Sequence, residues 1–173
     1  MSAVIQERPE ELSENELEQP DTSEMDGKYL TFWTDGQLFG VPIAHVVQIV
    51  GMQKVTEVPE FPYFAKGIIN LRGAIIPVLD IRLRLGKQEA EYNERTCIIV
   101  TEISSSSVGF IVDEVDAVMA IDDNLISPPP KVSGGSDGYI VGVGKLESRV
   151  VLLMDTRKIV GAEEFEMLTA EIA

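Results

Sequence analysis

The chain has 173 residues, a net charge of −15 and 45% hydrophobic residues, enough apolar material to fill a core and too much for a disordered protein. No apolar run approaches the ~18 residues of a membrane helix, so insertion into a membrane is not expected. So acidic a chain is repelled by phosphate backbones, which argues against nucleic-acid binding.

Residues 1–26 carry Glu7, Glu10, Glu11, Glu14, Glu16, Glu18, Asp21, Glu24 and Asp26 against Arg8 alone. With few apolar residues they are expected to form a disordered acidic tail, in which Leu12 and Leu17 suit a short transient helix that docks on a partner. The N-terminus lacks the basic patch and apolar stretch of a secretory leader. A single cysteine, Cys97, forms no internal disulfide. Both features point to the cytoplasm.

From Lys28 the pattern is that of strands. Tyr29–Thr34 is aromatic and β-branched, Asp35-Gly36 suits a tight hairpin turn, and Gln37–Val41 returns as the partner strand until Pro42. Short β-type runs follow at Val46–Val50, Gly67–Leu71, Ile75–Leu79, Thr96–Thr101, Val108–Val112, Val115–Ile121, Tyr139–Val143 and Val150–Met154. Residues 163–173 have helical spacing. Many short strands separated by glycine and proline turns predict an all-β fold.

The chain also repeats itself. At an offset of 75, Gly67, Leu71, Asp80, Arg82 and Gly86 fall on Gly142, Leu146, Asp155, Arg157 and Gly161. Upstream the offset is 69: Gly40 falls on Gly109, Val46 on Val115 and Ile49 on Val118. The six extra residues of the second copy belong between these stretches, near Ser127–Pro130 and Gly134-Gly135. Each copy has the size of an SH3-like five-stranded barrel. The expectation is two such barrels (about 27–88 and about 94–161) packed together with a groove between them, short helices, and a terminal helix over 162–173.

Catalytic chemistry finds little support. His45 is the one histidine, so no histidine cluster holds a transition metal. It reads as a surface or packing residue near a turn, and Cys97 as a buried inert thiol. Gly134–Gly138 matches the G-x-S-x-G pattern of hydrolases, but no histidine follows Ser136. A phosphate loop fails at Tyr139 and Leu146. The acids Asp113, Glu114, Asp116, Asp122 and Asp123 lack calcium-loop spacing and read as a solvated edge. No catalytic residue, cofactor or metal is expected.

The run Gly67-Ile68-Ile69-Asn70-Leu71-Arg72-Gly73-Ala74-Ile75-Ile76-Pro77-Val78-Leu79-Asp80-Ile81-Arg82 resembles the signature of the CheW family of bacterial chemotaxis coupling proteins. The resemblance spans about residues 27–165 and includes Val41-Pro42, Val58-Pro59, Pro128–Pro130 and Gly142–Leu146. It implies two SH3-like barrels and a non-enzymatic scaffold. The implied partners are the cytoplasmic hairpin tip of chemoreceptors and the regulatory domain of a CheA-type histidine kinase, with self-association in rings. Carried over by position, it puts the receptor groove at Val46, Gln48, Asn70, Arg72 and Gly73. Kinase contact is carried to apolar barrel ends near Ile49, Met52, Val115 and Val118. The family usually has glutamate where this chain has Gln48, so an expected Glu–Arg pair with Arg72 becomes a neutral–charged hydrogen bond, weaker by ~1–2 kcal/mol if buried. A brace for the core is the alternative role of Arg72. The alternative function is an adaptor for a pilus or surface-motility pathway.

Overall fold

A computed structural model describes residues 25–129 and 138–170. The acidic segment to residue 24, the loop containing Ser136 and the last three residues lie outside them. Among the described residues the strands are β1 Lys28–Thr34, β2 Gln37–Pro42, β3 Val46–Gly51, β4 Ala65–Leu71, β5 Ala74–Asp80, β6 Cys97–Ile103, β7 Ser106–Val112, β8 Glu114–Ala120, β9 Ile126–Ser127, β10 Ile140–Lys145 and β11 Val150–Met154. The helices are α1 Ile81–Arg84, α2 Thr156–Val160 and α3 Ala162–Ala170.

The strands form two sheets, ordered β8-β1-β2-β11-β10-β9 and β3-β6-β7-β5-β4. Every strand pairing of one copy recurs in the other at matched positions. Antiparallel β1–β2 corresponds to β6–β7, and β10–β11 to β4–β5. Even the irregularities repeat: the register shifts between Val46 and Gln48 as it does beside Asp116, and between Ala65 and Gly67 as between Ile140 and Gly142. The duplication is therefore real at the level of hydrogen bonding.

The two packed sheets stand as expected, and the structure adds how each is assembled. Neither copy closes a sheet from its own strands. The β1–β2 hairpin of the first copy lies between β8 and β11 of the second, and the β6–β7 hairpin of the second lies between β3 and β5 of the first. The exchange is made by two parallel contacts, Leu153 beside Gly40 and Val78 beside Gly109. The glycines are required there: a Cβ on Gly109 would sit 2.7 Å from Ile98 Cγ2 and 2.9 Å from Val78 Cγ1. Contiguous barrels over 27–88 and 94–161 would leave each hairpin unpaired on one side.

Three apolar clusters fill the molecule. Ile69, Ile76, Val78, Ile98, Val100 and Ile111 form one against the β3–β4 sheet, and Leu38, Ile121, Val151 and Leu153 another against the second sheet. The largest joins both, with Leu30, Phe32 and Phe39 from one sheet and Leu79, Ile99 and Phe110 from the other. The space between the sheets is thus packed, and clefts lie at its rim. Arg84 sits at the centre of the internal symmetry. Its guanidinium lies 5.0 Å from the Phe64 ring and 5.4 Å from the Tyr139 ring, and its Nε donates to the Ile159 carbonyl. Phe64 and Tyr139 are matched positions, as are Arg84 and Ile159.

Local chemistry terminates each copy in the same way. Asp80 Oδ1 accepts from the amides of Arg82 and Leu83, and Asp155 Oδ1 from those of Arg157 and Lys158, capping α1 and α2. Asp80 is buried and its other oxygen accepts from the Tyr92 hydroxyl at 2.8 Å, which pins the connection between the copies. Burial, then that bond, pushes the Tyr92 hydroxyl well above its ordinary pKa. The first sheet-closing bridge pairs Thr56 with Ile68, as Ser127 pairs with Val143. Gly67 lies beside it at φ +145°, where a Cβ would overlap the Thr56 carbonyl. Gly67→Ala is therefore expected to cost about 2–4 kcal/mol in urea denaturation, whereas Gly51→Ala, with open space around it, stays within about 0.5 kcal/mol.

Candidate partner-binding surface

The β4–β5 hairpin turns on two residues, Arg72 at φ +54° and Gly73 at φ +92°, both left-handed as a tight hairpin with right-twisted strands demands. The Asn70 side chain fixes the turn by accepting the Gly73 amide at 2.8 Å. Arg72 is exposed, and among the described residues it has no hydrogen bond or ion pair. The brace role for Arg72 is thereby corrected: a side chain at the tip of a two-residue turn projects away from the sheet. No bond joins it to Gln48 among the described residues.

Val46 and Gln48 sit half-buried on β3, opposite Thr101 and Val100 of β6. Val46 packs on the largest cluster. Of the five residues assigned to the receptor groove, Val46 and Gln48 therefore lie on β3, Asn70 on β4, and Arg72 and Gly73 in the β4–β5 turn, at the two outer edges of one sheet. None of them lines the clefts at the junction of the sheets.

The residues assigned to the kinase divide by exposure. Ile49 on β3 is 43% exposed and Val118 on β8 is 54% exposed. They are matched positions, each on the outermost strand of its sheet. Met52 and Val115 are half-buried and pack against two different clusters. Val47, in the apolar β3 run that the sequence offers as partner-facing, is 55% exposed at the register shift, whereas sequence reasoning missed the exposed matched pair Ile75 and Val150. Strict alternation along β3 carried the signal for Val47, but the shift itself is invisible in a single strand.

At one position of this edge the second copy replaces an apolar residue with charge. At the place of Val47 stands Asp116, whose Oδ2 accepts from the Thr31 hydroxyl at 2.8 Å and from Arg149 Nη2 at 3.1 Å. Burial opposes the Asp116 charge, but the Thr31 hydroxyl and the Arg149 guanidinium outweigh it and hold the carboxyl below its ordinary pKa. Of the five acids read as a solvated edge, Asp113 also pairs with an arginine, Arg82.

His45 lies in a short turn with Nδ1 3.2 Å from the Thr156 hydroxyl, a packing role. Cys97 is half-buried, and its thiol is pushed up by burial against the lowering effect of a backbone bond at Val115. Among the described residues no three His, Cys, Asp or Glu side chains group as metal ligands. No helix among them is long and apolar enough to cross a membrane. Ser136 lies outside the described residues.

Comparison with known proteins bears on this surface. The family model described as CheW-like domain matches residues 28–164. The chemotaxis protein CheW of Klebsiella aerogenes is 32% identical over 142 residues, 82% of this chain and 86% of that protein. That of Rhizobium meliloti is 34% identical over 138 residues, 79% of this chain and 89% of its own length. The crystal structure of the scaffolding protein TtCheW from Thermoanaerobacter tengcongensis matches with a TM-score of 0.75 and 34% identity, over 82% of this chain and 97% of that one.

The lowered pKa gives the Asp116 cluster a sign. A depressed native pKa adds stability that is complete above the ordinary carboxylate range and is lost as pH falls through the native value. Arg149→Met is expected to raise the Asp116 pKa towards its ordinary value in an NMR titration, and to reduce the loss of stability on acidification below about pH 4. An unchanged titration contradicts the assignment.

Proposed function

The chain belongs to the CheW-like family, and from that premise we propose that it is a non-enzymatic scaffold coupling chemoreceptors to a CheA-type histidine kinase. The observation that carries this reading is the divergence of two otherwise superimposable copies. Positions that shape the sheets are shared: Gly40 and Gly109, Gly67 and Gly142, Asp80 and Asp155. The Asn70–Gly73 turn is not shared, and in the second copy Lys145–Ser148 stands there.

A rigid turn holding an exposed arginine suits recognition of a carboxylate or of helix-end carbonyls on a partner, because the guanidinium fork is presented without first losing an internal bond. Asn70 lies beside it on β4, and Val46 and Gln48 lie on β3, the other outer strand of the same sheet; we assign these positions to the receptor hairpin tip. Ile49 and Met52, with Val115 and Val118 at the other end, form apolar edges for the kinase regulatory domain. Outer strands with open backbone groups also pair readily with further sheets, which suits self-association into rings. A protein that only holds two partners in place needs no catalytic group.

Arginines at the centre of interfaces commonly dominate binding. Arg72→Ala is expected to weaken co-sedimentation with a receptor cytoplasmic fragment by about tenfold or more, with an unchanged circular dichroism spectrum and melting temperature. Unchanged receptor binding, or binding lost together with the fold, contradicts this role. Failure of the unmodified chain to join receptor and kinase in one complex contradicts the coupling function for that pair.

A further inference from the structure

Each half of the molecule carries a cleft where a hairpin turn meets the end of a capped helix. One, of about 390 Å³, is lined by Asp35, Gly36, Phe39, Leu85, Lys87 and Tyr139 with their neighbours. The other, of about 580 Å³, is lined by Ile103, Ser104, Arg157, Lys158, Gly161 and Phe165 with theirs. Ile103, Ser104 and Ala162 are the matches of Thr34, Asp35 and Lys87, so the two clefts occupy matched places, and Arg157 matches Arg82, which lies beside the first cleft rather than in its lining.

Their electrostatics have parted. In the first half Arg82 is neutralised by two bonds to Asp113, at 3.0 and 2.7 Å, and a third to Asp35 at 3.2 Å. In the second half Ser104 stands for Asp35 and Ala44 for Asp113. Arg157 and Lys158 are exposed and, among the described residues, make no side-chain hydrogen bond or ion pair. Arg84 adds a third cation to the lining, against the carboxylate of Glu166 in the lining and that of Glu164 beside Gly161, and Ile103, Ala162 and Phe165 supply an apolar floor. Helix α3, which brings Phe165, has no counterpart in the first copy. The outcome is a basic, partly apolar cleft on a chain of net charge −15.

The same chain carries a complementary ligand. Residues 1–24 hold Glu7, Glu10, Glu11, Glu14, Glu16, Glu18, Asp21 and Glu24 against Arg8, with Leu12 and Leu17 among them. Extended chain reaches about 3.3–3.6 Å per residue, and a domain of this size has a radius of gyration of only about 15 Å. The segment therefore reaches any face. Tethering supplies an effective concentration in the millimolar range, so a contact too weak to survive between separate molecules is still populated within one chain. We propose that the acidic segment 1–24 docks on the Arg157–Lys158–Phe165 cleft of its own chain, its carboxylates on the two cations and its leucines on the apolar floor. The segment then screens this cleft, and an acidic partner binds there only by displacing it.

The test uses the full chain with a nitroxide on Ser13→Cys in a Cys97→Ala background, mixed with unlabelled chain to separate contacts within and between molecules. At low ionic strength the amides of Arg157, Lys158, Gly161 and Phe165 are expected to lose more than half their intensity within the labelled chain. About 0.5 M salt should reduce the effect about fivefold or more. Ser104→Asp, which restores the carboxylate found in the first half, and Arg157→Glu should each do the same while leaving the melting temperature unchanged. Broadening that is absent, lies at the Asp35 cleft, persists in both variants, or passes only between chains overturns the proposal.

Discussion

Each sheet of this protein is completed by the other copy, and every further property depends on that exchange. A hairpin lodged between two strands of its neighbour must be held on both sides. Antiparallel bonds to β8 and β3 hold one side, and the short parallel contacts at Gly40 and Gly109 hold the other. The approach is close enough that a methyl group on Gly109 would collide with Ile98 and Val78, and one on Gly40 would press on Leu153 and Val151. The largest apolar cluster then draws residues from both sheets, and Arg84 joins matched aromatic rings across the centre. Two barrels merely resting on one another would slide or part. Two that share hairpins set a fixed distance and angle between their outer edges, which is the property a scaffold requires.

The shared frame frees the remaining positions to differ. On β3 the register shift displays Val47 to solvent, while the equivalent shift on β8 is occupied by Asp116 held between Thr31 and Arg149. The Asn70–Gly73 turn displays an arginine with no internal task. At this one position the first edge is apolar and open, and the second carries an ion pair, although Val118 leaves the second edge apolar further along. A duplicated fold carries two unlike surfaces without changing the residues that shape it.

Much of this was legible in the sequence. The offsets of 69 and 75 named the repeated glycines and caps, and the Asp35-Gly36 turn appears as expected, with both residues at positive φ. The exchange of hairpins was not legible, because self-comparison shows which residues are equivalent but not which copy each strand joins. The β6–β7 hairpin extends further than expected, to Ile103 and Ser106, because its turn is Ser104-Ser105. Those serines adopt the same left-handed geometry as Asp35-Gly36 without its sequence signal. At the binding surface the motif located the Asn70–Gly73 turn, but the outward aim of Arg72 follows from backbone angles that sequence spacing does not record. Arg84 gave no signal at all, since its role depends on two rings 75 residues apart in sequence.

The interdependence of the copies is open to direct measurement by native-state hydrogen exchange at matched amides, Leu30 on β1 in one sheet and Ile99 on β6 in the other. Exchanged hairpins make the molecule one cooperative unit, so both amides should open with the same free energy and the same dependence on denaturant, equal to those of global unfolding. Separate opening energies, with one sheet or one copy unfolding while the other stays protected, would contradict a frame held together by exchange.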